Sequence, residues 1–218
     1  MVKTLKDKQY DVYLDWKYIL GTKSEKFVGI LPMHQVHRRN QPAVARSAEN
    51  GAEIGLITKM AHEGKTIAGD TTDISNPREY LSIATLKALE SLEKNNRKGY
   101  FLMIESAVID GYGHNNDSEG MIVEMKEFDC TLRMLVEYVN QHPETLLVVT
   151  ADHETGGTGV DYCSYNVDDP TPVRLSFSTK GHTGTVVPVF AYGAGAESFA
   201  GVMKNVDLPV KIERLIRR

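Results

Sequence analysis

The feature that most constrains this chain is a repeated junction, in which a short apolar run ends abruptly in acids and imidazoles. Tyr100-Phe-Leu-Met-Ile104 leads into Glu105-Ser-Ala-Val-Ile-Asp110-Gly-Tyr-Gly-His114. Leu146-Leu-Val-Val-Thr150 leads into Ala-Asp152-His153-Glu-Thr-Gly-Gly157. Between the two runs, Met121, Met125, Phe128, Leu132, Leu135 and Val139 recur at spacings of four and three, an amphipathic helix that starts near Asp117 or Ser118 and takes its methionines into the core. Buried strand, helix, buried strand is the unit of an α/β protein. The expectation is a three-layer arrangement, a largely parallel sheet flanked by helices. Such sheets collect ligands beyond the C-terminal ends of their strands, where both polar motifs fall.

The remaining pattern fits around this unit. Asp11–Leu14 and Lys26–Leu31 read as short strands about a helical or turn segment at Trp16–Leu20. Asn76 as a cap, Pro77 at the first helical position and Glu79 three residues after the cap mark a helix start. Leu81, Ala84, Ala88 and Leu92 supply its apolar face, and Lys94, Arg97 and Lys98 complement its end before Gly99. Val186–Tyr192 is a further strand, at an edge or bulged because of Pro188. A terminal helix is expected over Val210–Ile216. Residues 33–75 are poorly patterned, an insertion or loop region in which Ala52–Ile57 could be one more strand. The whole, residues 1–218, reads as a single partial domain.

Bulk properties exclude several classes. A net charge of -4 leaves no electrostatic footprint for nucleic acid. No apolar run approaches the length of a membrane span. The N-terminus, Met1-Val-Lys-Thr-Leu-Lys-Asp-Lys8, has neither the apolar core nor the cleavage site of a secretory signal. Cys130 and Cys163 lie far apart and outside any Cys-x-x-Cys pattern, which excludes a thiolate metal site.

The polar motifs carry chemistry. Asp110 and His114 are four residues apart, so one helical turn or a compact loop points both at one ion. Imidazole with carboxylate suits zinc, and Glu105, an all-oxygen donor, suits a harder ion such as magnesium. Asp152 and His153 would face opposite sides of a regular strand, so they share a metal only if the chain turns there; Glu154-Thr-Gly-Gly157 supplies a turn. His182 lies in Lys180-Gly-His-Thr-Gly184, where glycines allow close backbone approach. Lys180 meets a phosphate or is simply exposed. His34-x-x-His37 stands beside Arg38 and Arg39, which disfavour a cation, and reads as surface loop. His62 and His142 read as solvent-exposed, and Cys163 as a structural thiol.

Taken in this order, the three motifs resemble the alkaline phosphatase family, with order and spacing agreeing from Pro77 to Leu215 and more weakly over Leu5–Leu31. The resemblance implies a first zinc held by Asp110, His114 and His182, a second held in large part by Asp152 and His153, and magnesium held by Glu105. It implies two Zn2+ and one Mg2+ in all, hydrolysis of phosphate monoesters by two-metal phosphoryl transfer through a serine nucleophile, and a periplasmic or extracellular location.

The same resemblance implies four groups for which the sequence offers no match: a strand-end Asp, a nucleophilic Ser in an Asp-Ser-Ala context, a phosphate-clamping Arg and a hydroxyl ligand to magnesium. Asp70-Thr-Thr-Asp73 is the nearest acid–hydroxyl cluster and reads as a turn. The expectation is therefore the C-terminal half of such an enzyme, with the nucleophile unassigned. The alternatives are a catalytically inactive metal-binding fragment or interaction domain, and another hydrolase of the superfamily such as a phosphodiesterase. A sulfatase would need a Cys/Ser-x-Pro-x-Arg context, which this chain does not contain. An unpaired sheet edge and an uncovered apolar face would drive such a half to associate, so a homodimer or poor solubility is expected. A single sharp peak at monomer mass in size-exclusion chromatography with light scattering would contradict this.

Overall fold

The computed structural model describes residues 2–14, 16–30, 80–94, 96, 98–161 and 174–217. The poorly patterned 33–75 region, the Asn76–Pro77–Glu79 helix start, His34, His37, His62, Asp70, Asp73 and Cys163 lie outside the described residues. The chain forms two compact units, Met1–Ser106 with Lys126–Thr131, and Ala107–Met125 with Leu132–Arg218. No helix among the described residues is long and apolar enough to cross a membrane.

In the first unit, α1 (Val2–Asp7) precedes β1 (Asp11–Tyr13), α2 (Trp16–Gly21) and β2 (Phe27–Gly29). Both strands form where expected, and they pair in parallel across α2, with Asp11 opposite Phe27 and Tyr13 opposite Gly29. The Tyr13 hydroxyl meets that of Thr22 at 2.8 Å, and Ile19 is buried. Helix α3 (Tyr80–Glu93) then lays down a buried stripe of Leu81, Thr85 and Leu89, with Ser82 beside it. That face is rotated from the expected Leu81–Ala84–Ala88–Leu92 stripe, because α3 packs through polar groups as well as apolar ones. Ser82 donates to the Thr131 hydroxyl at 2.8 Å, since the Thr131 proton is given to the Glu127 carbonyl at 3.1 Å. The Glu127 carboxylate accepts the Leu81 N–H at 3.0 Å, satisfying a donor in the first turn of α3. Lys87 threads its amine to the Thr22 carbonyl, 2.9 Å, and to Glu90, 3.1 Å.

Helix α5 (Ser118–Gln141) begins where its sequence places it. The Asp117 side chain accepts the Gly120 N–H at 3.0 Å as the N-cap. Met121, Leu135 and Val139 are buried, but Met125 is 48% exposed. The fully buried side chains on this helix are Glu124, Glu127 and Thr131, which an apolar stripe does not register.

Tyr100–Ile104 differs from the buried strand expected. Residues 101–106 have no regular secondary structure and lie outside any ladder among the described residues, and Phe101 and Met103 are exposed. A run of apolar residues marks a strand buried on both faces only when neighbours cover both, and periodicity does not reveal that.

The second unit contains α4 (Val108–Asn115) and β3 (Leu146–Thr150), then β4 (Glu154–Thr155), β5 (Gly159–Val160), β6 (Leu175–Ser176), β7 (His182–Thr183) and β8 (Val189–Gly193), a 3-10 turn at Ala196–Phe199, and α6 (Asp207–Ile216). β3 pairs with β8 from Leu146–Gly193 to Thr150–Val189. Strand β8 starts after Pro188 rather than at Val186, since proline supplies no N–H to a ladder. The α/β class holds. Among the described residues β1–β2 pairs in parallel, and β3–β8, β4–β7 and β5–β6 pair antiparallel. Phe199 closes the apolar contact beside β8, and Lys211 on α6 donates to the Ser198 carbonyl at 2.5 Å.

Glu127→Ala removes the acceptor for the Leu81 N–H and should lower stability by about 2 kcal/mol, the penalty for an unmade buried hydrogen bond. Glu127→Gln keeps an acceptor oxygen and should lose less. Urea denaturation followed by circular dichroism measures both.

Candidate metal centre

The site grows out of the end of β3. After Thr150 the chain leaves the ladder, and the Asp152 carboxylate turns back on its neighbour. It accepts the His153 N–H at 3.1 Å and lies 3.4 Å from His153 Nε2. The two adjacent side chains therefore converge, as the Glu154-Thr-Gly-Gly157 turn led one to expect.

That turn is built for the purpose. Gly156 and Gly157 take φ of 89° and 57°, a left-handed backbone suited to glycine. The Glu154 carboxylate accepts the N–H groups of Gly157 (3.1 Å) and Thr158 (2.7 Å) and also the Thr183 hydroxyl on β7. The Thr183 bond first, with the two backbone donors behind it and desolvation in partial opposition, holds the Glu154 carboxyl below the usual glutamate value. β4 thereby pairs with β7 so that Glu154 faces Thr183 and Thr155 faces His182. The Gly156 N–H to Gly181 carbonyl bond, 2.9 Å, extends the pairing across the turn.

Helix α4 supplies the other two side chains. Asp110 and His114 sit one turn apart, with His114 Nε2 3.4 Å from Asp110 Oδ2. The helix ends at Asn116, whose left-handed φ of 54° returns its N–H to the Gly113 and Tyr112 carbonyls. Gly113 is buried against β4. A Cβ placed on it would lie 3.0 Å from Thr155 Cγ2, so a glycine is what lets α4 approach this closely.

Asp110, His114 and His182 offer ligand atoms that all lie within 4.8 Å of one another. His182 Nε2 is 3.1 Å from His114 Nε2 and 3.5 Å from Asp110 Oδ1. His114 Nδ1 stands 2.5 Å from the Lys180 carbonyl, which only accepts, so Nδ1 carries the proton and Nε2 presents its lone pair inward. Two imidazole nitrogens 3.1 Å apart need a proton or a cation between them. With a carboxylate alongside, this N/N/O set has the chemistry of a divalent zinc-type site. The His153 ring stacks on His182 with centroids 3.6 Å apart, which brings the Asp152–His153 pair to the same cluster.

The second unit holds five of the six residues expected as ligands: it brings Asp110, His114 and His182 together, with His153 stacked on His182 and Asp152 beside His153. The sixth, Glu105, belongs to the first unit and is exposed. Lys180 contributes its carbonyl to the cluster. His142 is half-buried and stacks on Tyr138 at 4.2 Å, rather than standing free in solvent. Thr155 was not expected. Its hydroxyl donates to Asp110 at 2.5 Å and lies 3.2 Å from His153 Nδ1. The signal available was its place two residues after His153, beside the turn glycines.

Residues 65–173, half of the chain, match the family model described as alkaline phosphatase. The chain is 26% identical over 187 residues to alkaline phosphatase 4 of Bacillus subtilis, covering 56% of this chain and 40% of that protein. It is 30% identical over 172 residues to the alkaline phosphatase of Escherichia coli K12, covering 70% of this chain and 36% of that one. Among solved structures it is similar to the alkaline phosphatase of the Antarctic bacterium TAB5, with a TM-score of 0.65 and 26% identity, over 99% of this chain and 54% of that one. A mutant of the same enzyme, similar at a TM-score of 0.64 and 27% identity over 99% of this chain and 55% of that one, has magnesium bound in its M3 site. The chain spans about two fifths of the curated relatives and about half of the TAB5 enzyme.

Gly113→Val forces a branched side chain into the Thr155 methyl. It should lower stability by about 1–3 kcal/mol, the usual range for overpacking, as read from thermal or urea unfolding.

Proposed function

The chain belongs to the alkaline phosphatase family, and on that premise we propose that it takes part in metal-dependent hydrolysis of phosphate monoesters, contributing most of the metal ligands. The observation that carries this reading is the convergence of Asp110, His114 and His182 within 4.8 Å, with the inward lone pair of His114 set by a backbone carbonyl. In this reading Asp110, His114 and His182 hold a first zinc, Asp152 and His153 contribute to a second, and Glu105 is a magnesium ligand. Bound there, the metals supply Lewis-acid stabilisation of charge on phosphoryl and attacking oxygens.

The chain's own residues do the positioning. The Lys180 carbonyl holds the proton of His114 on Nδ1. The Glu154 carboxylate keeps β7, and with it His182, in register with β4. Asp110 and His182 are both about half exposed, which leaves the cluster open to a phosphate ester from solvent. Export to the periplasm or beyond, and assembly as a homodimer, belong to the same proposal.

A second reading is a metal-binding domain without turnover. One observation favours it: the hydroxyl bonded into the cluster is that of Thr155, and its proton is committed to Asp110.

One experiment tests both. Zinc binding is titrated, and p-nitrophenyl phosphate hydrolysis is followed at alkaline pH with zinc and magnesium, for the wild-type chain and for His182→Ala. The expected result is zinc binding weakened on the order of 100-fold or more in the variant. Turnover that disappears with it supports the hydrolase, and binding without turnover supports the second reading. Zinc binding unchanged in His182→Ala would sink both.

A further inference from the structure

We propose that Thr155 is a positioning residue whose single hydroxyl couples the two halves of the candidate centre, orienting Asp110 and setting the tautomer of His153. The proposal rests on the metal-centre reading above. It begins from proton counting. A threonine hydroxyl has one proton to give, and an ionised carboxylate only accepts. The 2.5 Å contact with Asp110 Oδ1 takes that proton. The Thr155 oxygen can therefore act toward His153 Nδ1, 3.2 Å away, only as an acceptor. His153 then carries its proton on Nδ1, and its Nε2, the nitrogen 3.4 Å from Asp152, keeps a free lone pair. The same bond fixes the Asp110 carboxylate plane, with Oδ2 facing His114.

Thr155 is well placed to hold this arrangement. It is buried, stands opposite His182 in the β4–β7 pair, and packs its methyl against Gly113. Its side chain is thus clamped between the strand that brings His182 and the helix that brings Asp110 and His114. Lys180 performs the matching task for His114 through a main-chain carbonyl. Thr155 does so through a side chain, and a side chain can be exchanged.

The test compares the wild-type chain with Thr155→Val, Thr155→Ser and His182→Ala. Zinc affinity is measured against a chromophoric chelator, and the tautomer of His153 is read from imidazole nitrogen shifts in the zinc-free protein. Thr155→Val keeps the branched shape and loses the hydroxyl. It should weaken zinc binding by about 10- to 100-fold and release His153 into a tautomer mixture, while Thr155→Ser stays within about threefold of wild type with the Nδ1–H form retained. If Thr155→Val binds zinc like the wild type while His182→Ala does not, the role assigned to Thr155 is wrong and the metal centre stands. If Thr155→Ser is as weak as Thr155→Val, the residue acts by packing alone and the proposal falls. If the wild type binds no zinc, the metal reading fails and takes this inference with it.

Discussion

Everything at the candidate centre depends on the register of one very short ladder, the antiparallel pairing of Glu154–Thr155 with His182–Thr183. Side chains alternate faces along a strand, so a slip of one residue would carry His182 to the opposite side from Asp110 and His114. Two paired residues cannot hold a register by themselves. The Glu154 carboxylate does it for them, joining the N–H groups of the turn to the Thr183 hydroxyl across the ladder. The Gly156–Gly181 bond and the Ser178 and Thr179 N–H groups on the Gly156 carbonyl complete the clamp. The acid of the motif is thus the fastening of the turn.

Close approach is the second constraint. α4 can present Asp110 and His114 to β4 because Gly113 has no side chain at the contact, and Thr155 fills the space that remains. The helix is short, and Asn116 ends it in a left-handed cap immediately after His114 and Asn115. The candidate ligands on a helix and on a strand end are thus brought together by small residues and local caps rather than by a large hydrophobic interface. Imidazole orientation follows the same economy, with one acceptor at Nδ1 of each ring: the Lys180 carbonyl for His114 and the Thr155 hydroxyl for His153.

The first unit solves a different problem. There α3 meets the Lys126–Thr131 turns of α5 through Ser82, Thr131 and Glu127, a hydrogen-bonded seam inside the unit. Buried polar groups are tolerated where partners meet them, and here the Glu127 carboxylate meets the Leu81 N–H. This is why the apolar stripe drawn through Ala84, Ala88 and Leu92 misses the packed face.

Much of the site was legible in the residues themselves. Acids and imidazoles following apolar runs, Asp110 and His114 one turn apart, the turn glycines after His153 and the glycines flanking His182 are local patterns, and local patterns follow from backbone geometry that neighbours do not alter. The strand at Leu146–Thr150, the capped start of α5 and the short strands on either side of α2 were readable for the same reason. Tertiary structure alone decided which strands pair and in which direction, that Phe101 and Met103 are exposed, that Glu124, Glu127 and Thr131 are buried, and that Thr155 stands at the middle of the cluster. Pairing, burial and the sharing of a proton depend on atoms distant in sequence. A residue's type and spacing state what it can bond to, and only the folded chain decides which partner arrives.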